Sequence, residues 1–173
     1  MSRAPIAVAL DAPDLRTLGD WASAVSPHVS TVKVGLETYL RDGRAAVEAA
    51  RTAAPECALF LDLKLHDIPA TVSGAARAVA HLQPDFLTVH ASGGPAMVSA
   101  AAEALPGTRV VAVTVLTSLT TDDLRRLDLL GPDSSSAGDL AVRLAVTAVD
   151  AGARAVVCSP EEVGAVRSAL EGR

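Results

Sequence analysis

Six short runs rich in Val, Leu, Ile and Phe recur about every 25 residues, separated by longer Ala-rich helical segments, and together they predict an α/β fold on a parallel sheet. The runs are apolar throughout rather than alternating, as strands covered on both faces must be. None is followed by a G-x-G-x-x-G or Walker A turn, which counts against a nucleotide-binding doubly wound sheet. The better reading is a (β/α) barrel, of the (β/α)8 TIM-barrel family.

The expected strands are Ile6–Asp11 (IAVALD), Ser30–Leu36 (STVKVGL), Ala58–Lys64 (ALFLDLK), Asp85–Ala91 (DFLTVHA), Arg109–Ser118 (RVVAVTVLTS) and Ala153–Ser159 (ARAVVCS). Helical patterns follow at about 14–26, 36–54, 69–82, 94–105, 138–152 and 160–171, with Pro27, Pro55, Pro84 and Pro106 marking ends. HASGGP, His90–Pro95, reads as a tight strand-to-helix turn. After the fifth strand, Thr117–Gly138 inserts a short helix and a Ser/Gly loop. That makes six βα units in one domain over residues 1–173, where a complete barrel has eight units and typically about 250 residues. The expectation is therefore three-quarters of a barrel, incomplete on its C-terminal side.

The net charge of -5 is spread without acidic or basic runs, so nothing suggests a nucleic-acid or membrane surface. Cys57 and Cys158 lack paired or metal-binding spacing and are expected to be reduced thiols in a cytoplasmic protein. The N-terminal apolar run ends at Asp11, too short for a leader or a membrane span.

Of the 15 basic residues, only Lys33 and Lys64 are lysines, and both lie inside apolar strand patterns. Arginine already supplies the surface charge, so these lysines are expected to do what a guanidinium cannot, which is to give up a proton. FLDLKLHDIP, Phe60–Pro69, adds Asp62 and Asp67 to Lys64 within six residues. Asp62 and Lys64, two apart on a strand, share a face. Asp11 closes strand one, Lys33 lies late in strand two and His90 ends strand four, so the charges gather at the carboxyl ends of the strands, where a barrel keeps its active site. A lone buried ion pair is a poor source of stability; five charges at one end read as a site. A metal site from Asp62, His66, Asp67 and His90 is a second reading, opposed by the ammonium of Lys64 among those ligands. For His66 itself a capping or packing role is expected.

DLKLHDIPATV, Asp62–Val72, resembles the D-x-K-x-x-D-I-P signature of the orotidine 5'-phosphate decarboxylase family. VALD (Val8–Asp11), VKVGLE (Val32–Glu37), VTVLTS (Val113–Ser118) and VVCSPEE (Val156–Glu162) are similar to the bacterial enzymes in the same order. The resemblance implies a cofactor-free carboxy-lyase forming uridine 5'-phosphate in pyrimidine biosynthesis. It makes Lys64 the proton donor, Asp62 the carboxylate beside the leaving group and Lys33 the cation linking that carboxylate to the ribose. Asp11 would hold ribose hydroxyls, Thr117 would contact the pyrimidine, and Ile68 joins the substrate-binding set. Asp67 would complete the Asp/Lys chain and, with Thr71, reach a partner's site, implying a homodimer with shared sites. The family's phosphate-gripping segments, TPGIR-like and GRP-like, do not occur here. The rivals are a metal-dependent sugar-phosphate decarboxylase or synthase of the same superfamily and an inactive barrel fragment.

Overall fold

The computed structural model describes residues 3–130 and 135–173. Its strands are β1 (Ala4–Ala9), β2 (Val29–Gly35), β3 (Ala58–Leu65), β4 (Phe86–His90), β5 (Arg109–Val113) and β6 (Ala155–Val157). Its helices are α1 (Leu15–Val25), α2 (Leu36–Asp42), α3 (Arg44–Ala53), α4 (Pro69–Val79), α5 (Pro95–Ala104), α6 (Thr121–Arg126), α7 (Ala137–Asp150) and α8 (Val163–Ala169). The strands lie in their sequence order, β1-β2-β3-β4-β5-β6, and β1–β2, β2–β3 and β5–β6 pair in parallel. A doubly wound sheet reverses its order at a switch point. The order here runs one way, so six βα units of a TIM-type barrel are present.

The chain divides into two compact units. The first takes in the chain up to Lys64 together with Arg77–Thr88, and the second takes in Leu65–Ala76 and Val89–Arg173. In the first, α1 and α3 pack on each other, and Leu10, Leu18, Val34, Val47, Leu59 and Leu61 are almost wholly removed from water. In the second, Val89, Met97, Val98, Val110 and Ala112 form one apolar cluster and Val115, Leu124, Leu140 and Ala141 another. These are the continuous apolar runs of the sequence, now buried.

Four expectations need correction. The helical pattern 36–54 is two helices, because Gly43, at φ +57°, ends α2 and starts α3. β5 stops at Val113 although apolar residues continue to Leu116; its neighbour β6 ends at Val157, whose carbonyl accepts from the Thr114 amide and hydroxyl. β1 ends at Ala9, so Asp11 lies past the strand, where Pro13 and the helix cap Asp14 already turn the chain. β1 is also largely exposed, with Ile6 half accessible, because the strand stands last in the order with β2 as its one neighbour among the described residues. The HASGGP turn forms as expected, with Gly94 at φ +86° ahead of Pro95 at the start of α5. Of the Ser/Gly loop, residues 131–134 lie outside the described residues; Ser136 caps α7 through a reciprocal bond with Asp139. Among the described residues no helix is long and apolar enough to cross a membrane.

Both thiols are free. Cys57 is buried and donates to the Val29 carbonyl at 3.3 Å, whereas Cys158 is half-buried, its thiol pushed up by burial and by Glu162.

Candidate active site

Parallel pairing sets β2 beside β3 in the first unit, which also holds Phe86–Thr88 of β4, and the charges meet there. Asp62 stands opposite Gly35 in the β2–β3 register. Lys64 Nζ donates to both oxygens of Asp62, at 2.8 Å to Oδ1 and 2.9 Å to Oδ2. Lys33 Nζ lies 3.3 Å from Asp62 Oδ2. The hydroxyl of Thr88, from β4, donates to Asp62 Oδ1 at 2.9 Å and accepts the Lys64 backbone N–H at 2.8 Å. One carboxylate is thus held by two ammonium groups and a hydroxyl.

Asp62 is 8% exposed. Burial alone would push its carboxyl up, but hydrogen bonds from Lys64 and Thr88 and the charges of Lys33 and Lys64 outweigh that and hold it below the usual carboxylate range. It is therefore an ion at neutral pH, with its acceptor capacity spent on the three donors.

The backbone at Lys64 is unusual. Its φ of +50° is left-handed, rare for a non-glycine residue, and it falls inside β3. The simple alternation that puts residues 62 and 64 on one face is broken at that point, and the contact is made from a turned backbone instead. Left-handed backbone costs roughly 1–2 kcal/mol for an L-residue, and such outliers cluster at functional sites.

Asp11 is exposed and lies beyond β1, but it converges on Lys33 over Gly35. A Cβ at Gly35 would come 2.7 Å from Asp11 Oδ1 and 3.1 Å from Lys33 Nζ. Only glycine leaves both groups where they are.

Asp67, Ile68, Thr71 and Thr117 belong to the second unit and are all exposed. Asp67 Oδ1 accepts its neighbour's amide, that of Ile68, at 2.6 Å, ahead of α4, and Thr117 sits in the turn after β5. His66 is exposed, and its ring lies against His90, with centroids 5.1 Å apart. The two imidazoles border a cavity of about 420 Å³ with Ser92, Thr114, Leu116 and Arg143 among its walls.

Sequence reasoning missed Thr88, Gly35 and the His66–His90 contact. Thr88 carries a signal: between Asp85 and His90 the run is otherwise apolar, and a hydroxyl in a covered strand needs a partner. Gly35 interrupts VKVGL where a β-branched residue would suit the strand better.

Comparison with known proteins bears on nearly the full length. The family model described as Orotidine 5'-phosphate decarboxylase / HUMPS family matches residues 4–172. A Thermobifida fusca protein named orotidine 5'-phosphate decarboxylase is 66% identical over 165 residues, 95% of this chain and 69% of that protein. A Frankia casuarinae protein of the same name is 52% identical over 186 residues, 97% of this chain and 66% of that protein. The crystal structure of orotidine 5'-phosphate decarboxylase from Lactobacillus acidophilus matches with a TM-score of 0.83 at 33% identity, covering 96% of this chain and 76% of that one. The chain spans about two thirds of the length of the first two relatives.

Proposed function

The chain belongs to the orotidine 5'-phosphate decarboxylase / HUMPS family, and from that premise we propose that its protein removes carbon dioxide from C6 of orotidine 5'-phosphate, giving uridine 5'-phosphate. The observation that carries the reading is the Lys33–Asp62–Lys64 cluster, two ammonium groups fixed on one buried carboxylate.

Loss of carbon dioxide from C6 leaves an electron pair on a vinyl carbon with no ordinary sink in the ring. Such a charge is stabilised by placement, and cations already held by Asp62 need no reorganisation as it develops. Lys64 then delivers the proton to C6 as general acid. Asp62 serves by keeping both lysines charged and in place. Its proximity to the substrate carboxylate adds a strain relieved when carbon dioxide leaves, an effect second in size to stabilisation of the carbanion.

Asp11, beside Lys33, is assigned to the ribose hydroxyls, and Ile68 and Thr117 to the pyrimidine side of the substrate. Asp67 and Thr71, both exposed, are assigned to the site of a second copy, which makes the working form a cytoplasmic homodimer. A metal-dependent synthase of the same superfamily would use the strand-three carboxylate as a ligand. Here that carboxylate is saturated by its three donors, which favours the metal-independent reaction.

The test is orotidylate decarboxylation by the purified protein, followed by the loss of substrate absorbance with and without chelator. Turnover unaffected by chelator and abolished in Lys64→Ala is expected. No turnover, or turnover that chelator removes and magnesium restores, would overturn the assignment.

A further inference from the structure

We propose that Thr88 is a positioning residue for this reaction: its buried hydroxyl ties the backbone of Lys64 to the carboxylate of Asp62 and so aims the ammonium that supplies the proton. The proposal rests on the decarboxylase reading above, and its geometry lies wholly in the first unit.

A threonine hydroxyl has one proton to give and lone pairs to receive with. At Thr88 both are used. The Lys64 N–H can only donate, so the hydroxyl must accept there, at 2.8 Å, and its own proton must go to Asp62 Oδ1, at 2.9 Å. Thr88 is 0% exposed, so no bulk water competes for either bond or replaces them. Threonine's branched Cβ limits χ1, which holds the oxygen in one place.

What the first bond fixes is the odd backbone of Lys64. A strand residue would give its N–H to a neighbouring main chain, whereas Lys64 gives it to a side chain and turns to φ +50°. From that turned backbone the side chain doubles back two residues to hold both oxygens of Asp62. The second bond sets the plane of the carboxylate on which Lys64 and Lys33 converge. Thr88 therefore acts on the donor twice, through its main chain and through its counter-ion, without touching the reacting atoms.

The groups facing Asp62 are Lys33 from β2, Lys64 from β3 and Thr88 from β4, with Asp11 beside Lys33. Removing the hydroxyl takes one donor from the ion, which moves the Asp62 carboxyl upward, and frees Lys64 to leave its left-handed backbone.

The experiment compares Thr88→Val, which keeps the shape without the hydroxyl, with Thr88→Ser, which keeps the hydroxyl. Two quantities are read: steady-state constants for orotidylate across pH, and the titration of the Asp62 carboxyl carbon by NMR. We expect Thr88→Val to lose about 10²-fold in kcat, as misplacement of a catalytic group by about 1 Å does, with little change in KM. Its acid limb and the Asp62 titration should both move to higher pH, and Thr88→Ser should restore most of each. Should Thr88→Val fail to fold, Thr88→Cys, of similar size but a weaker donor, must shift both quantities in the same direction. Wild-type kcat with an unmoved Asp62 titration in Thr88→Val, or in Thr88→Cys where that variant stands in for it, overturns the positioning role and leaves the decarboxylase reading intact. A wild-type protein without turnover, but with an Asp62 titration that follows the hydroxyl, overturns the reading and the role in this reaction, and leaves only the tie between Thr88 and Asp62.

Discussion

Gly35→Ala separates placement of the charge cluster from stability of the fold. At φ -88° the backbone there accepts any residue, so the substitution brings no conformational strain. The new methyl would sit 2.7 Å from Asp11 Oδ1 and 3.1 Å from Lys33 Nζ. Ordinary contacts begin at 3.4 Å, so the carboxylate must retreat by about 0.7 Å and the ammonium by about 0.3 Å. Both atoms end side chains that can swing, so the fold absorbs the intrusion. Gly35 also caps α2, where alanine is worse than glycine by about 0.5–1 kcal/mol, but alanine returns about 0.4–1 kcal/mol by restricting the unfolded chain. The two offset, and stability should change by less than about 1 kcal/mol. Activity has no such offset: if misplacement by about 1 Å costs about 10²-fold, shifts of half that size cost about 10-fold in kcat/KM. The assay is steady-state decarboxylation beside a urea melt of the same preparation. Wild-type kcat/KM in Gly35→Ala would refute the claim that Asp11 and Lys33 must stay where glycine leaves them. A melt weakened by several kcal/mol would show that Gly35 serves the fold instead.

Lys64→Arg should be as inactive as Lys64→Ala while remaining folded, since a guanidinium does not release a proton at working pH; near-wild-type turnover would remove Lys64 from the donor role. For Asp62, the folded carboxyl lies below its unfolded value of about 3.9, so its share of stability is present above that pH and disappears as pH falls through the folded value. Asp62→Asn should flatten that part of the acid melt, leaving the part due to the exposed cap carboxylates Asp14, Asp123 and Asp139; an unchanged acid profile would count against the ion pairing. At neutral pH the same variant should cost near the low end of the roughly 3–5 kcal/mol of a broken buried pair, because Lys33 and Lys64 keep 20% and 35% of their side-chain exposure. Mixing Asp67→Ala with Lys64→Ala protein should recover activity if a second copy completes each site, and subunits shown to exchange without recovery would argue for self-contained sites.

Much of this was legible in the residues because burial makes charge expensive. Asp62 and Lys64 stand out in an apolar strand, and two lysines stand out among thirteen arginines, so the pair was visible before any coordinate. The alternation of apolar runs and Ala-rich helices likewise marks six βα units, and the missing dinucleotide and Walker A turns favour the barrel order over the doubly wound one. What stayed hidden depends on neighbours rather than on local pattern. Thr88 announces only that a covered hydroxyl needs a partner; which partner it takes emerges when β3 supplies Asp62 and the Lys64 amide. β5 reads too long because apolarity continues where β6 has already run out. A single glycine costs a helix about 1 kcal/mol, too little to announce the break at Gly43. The turned backbone of Lys64 leaves no trace in a sequence, since lysine is seldom chosen for it.

The donors to Asp62 among the described residues, Lys33, Lys64 and Thr88, all lie inside one compact unit. A chain leaves the ribosome N-terminus first, at roughly 5–20 residues per second, so the counter-charges of Asp62 are synthesised before the second half of the protein. Nothing C-terminal to Thr88 is needed to neutralise that carboxylate. The electrostatic debt of burying an acid is settled by residues that precede β5 in the chain.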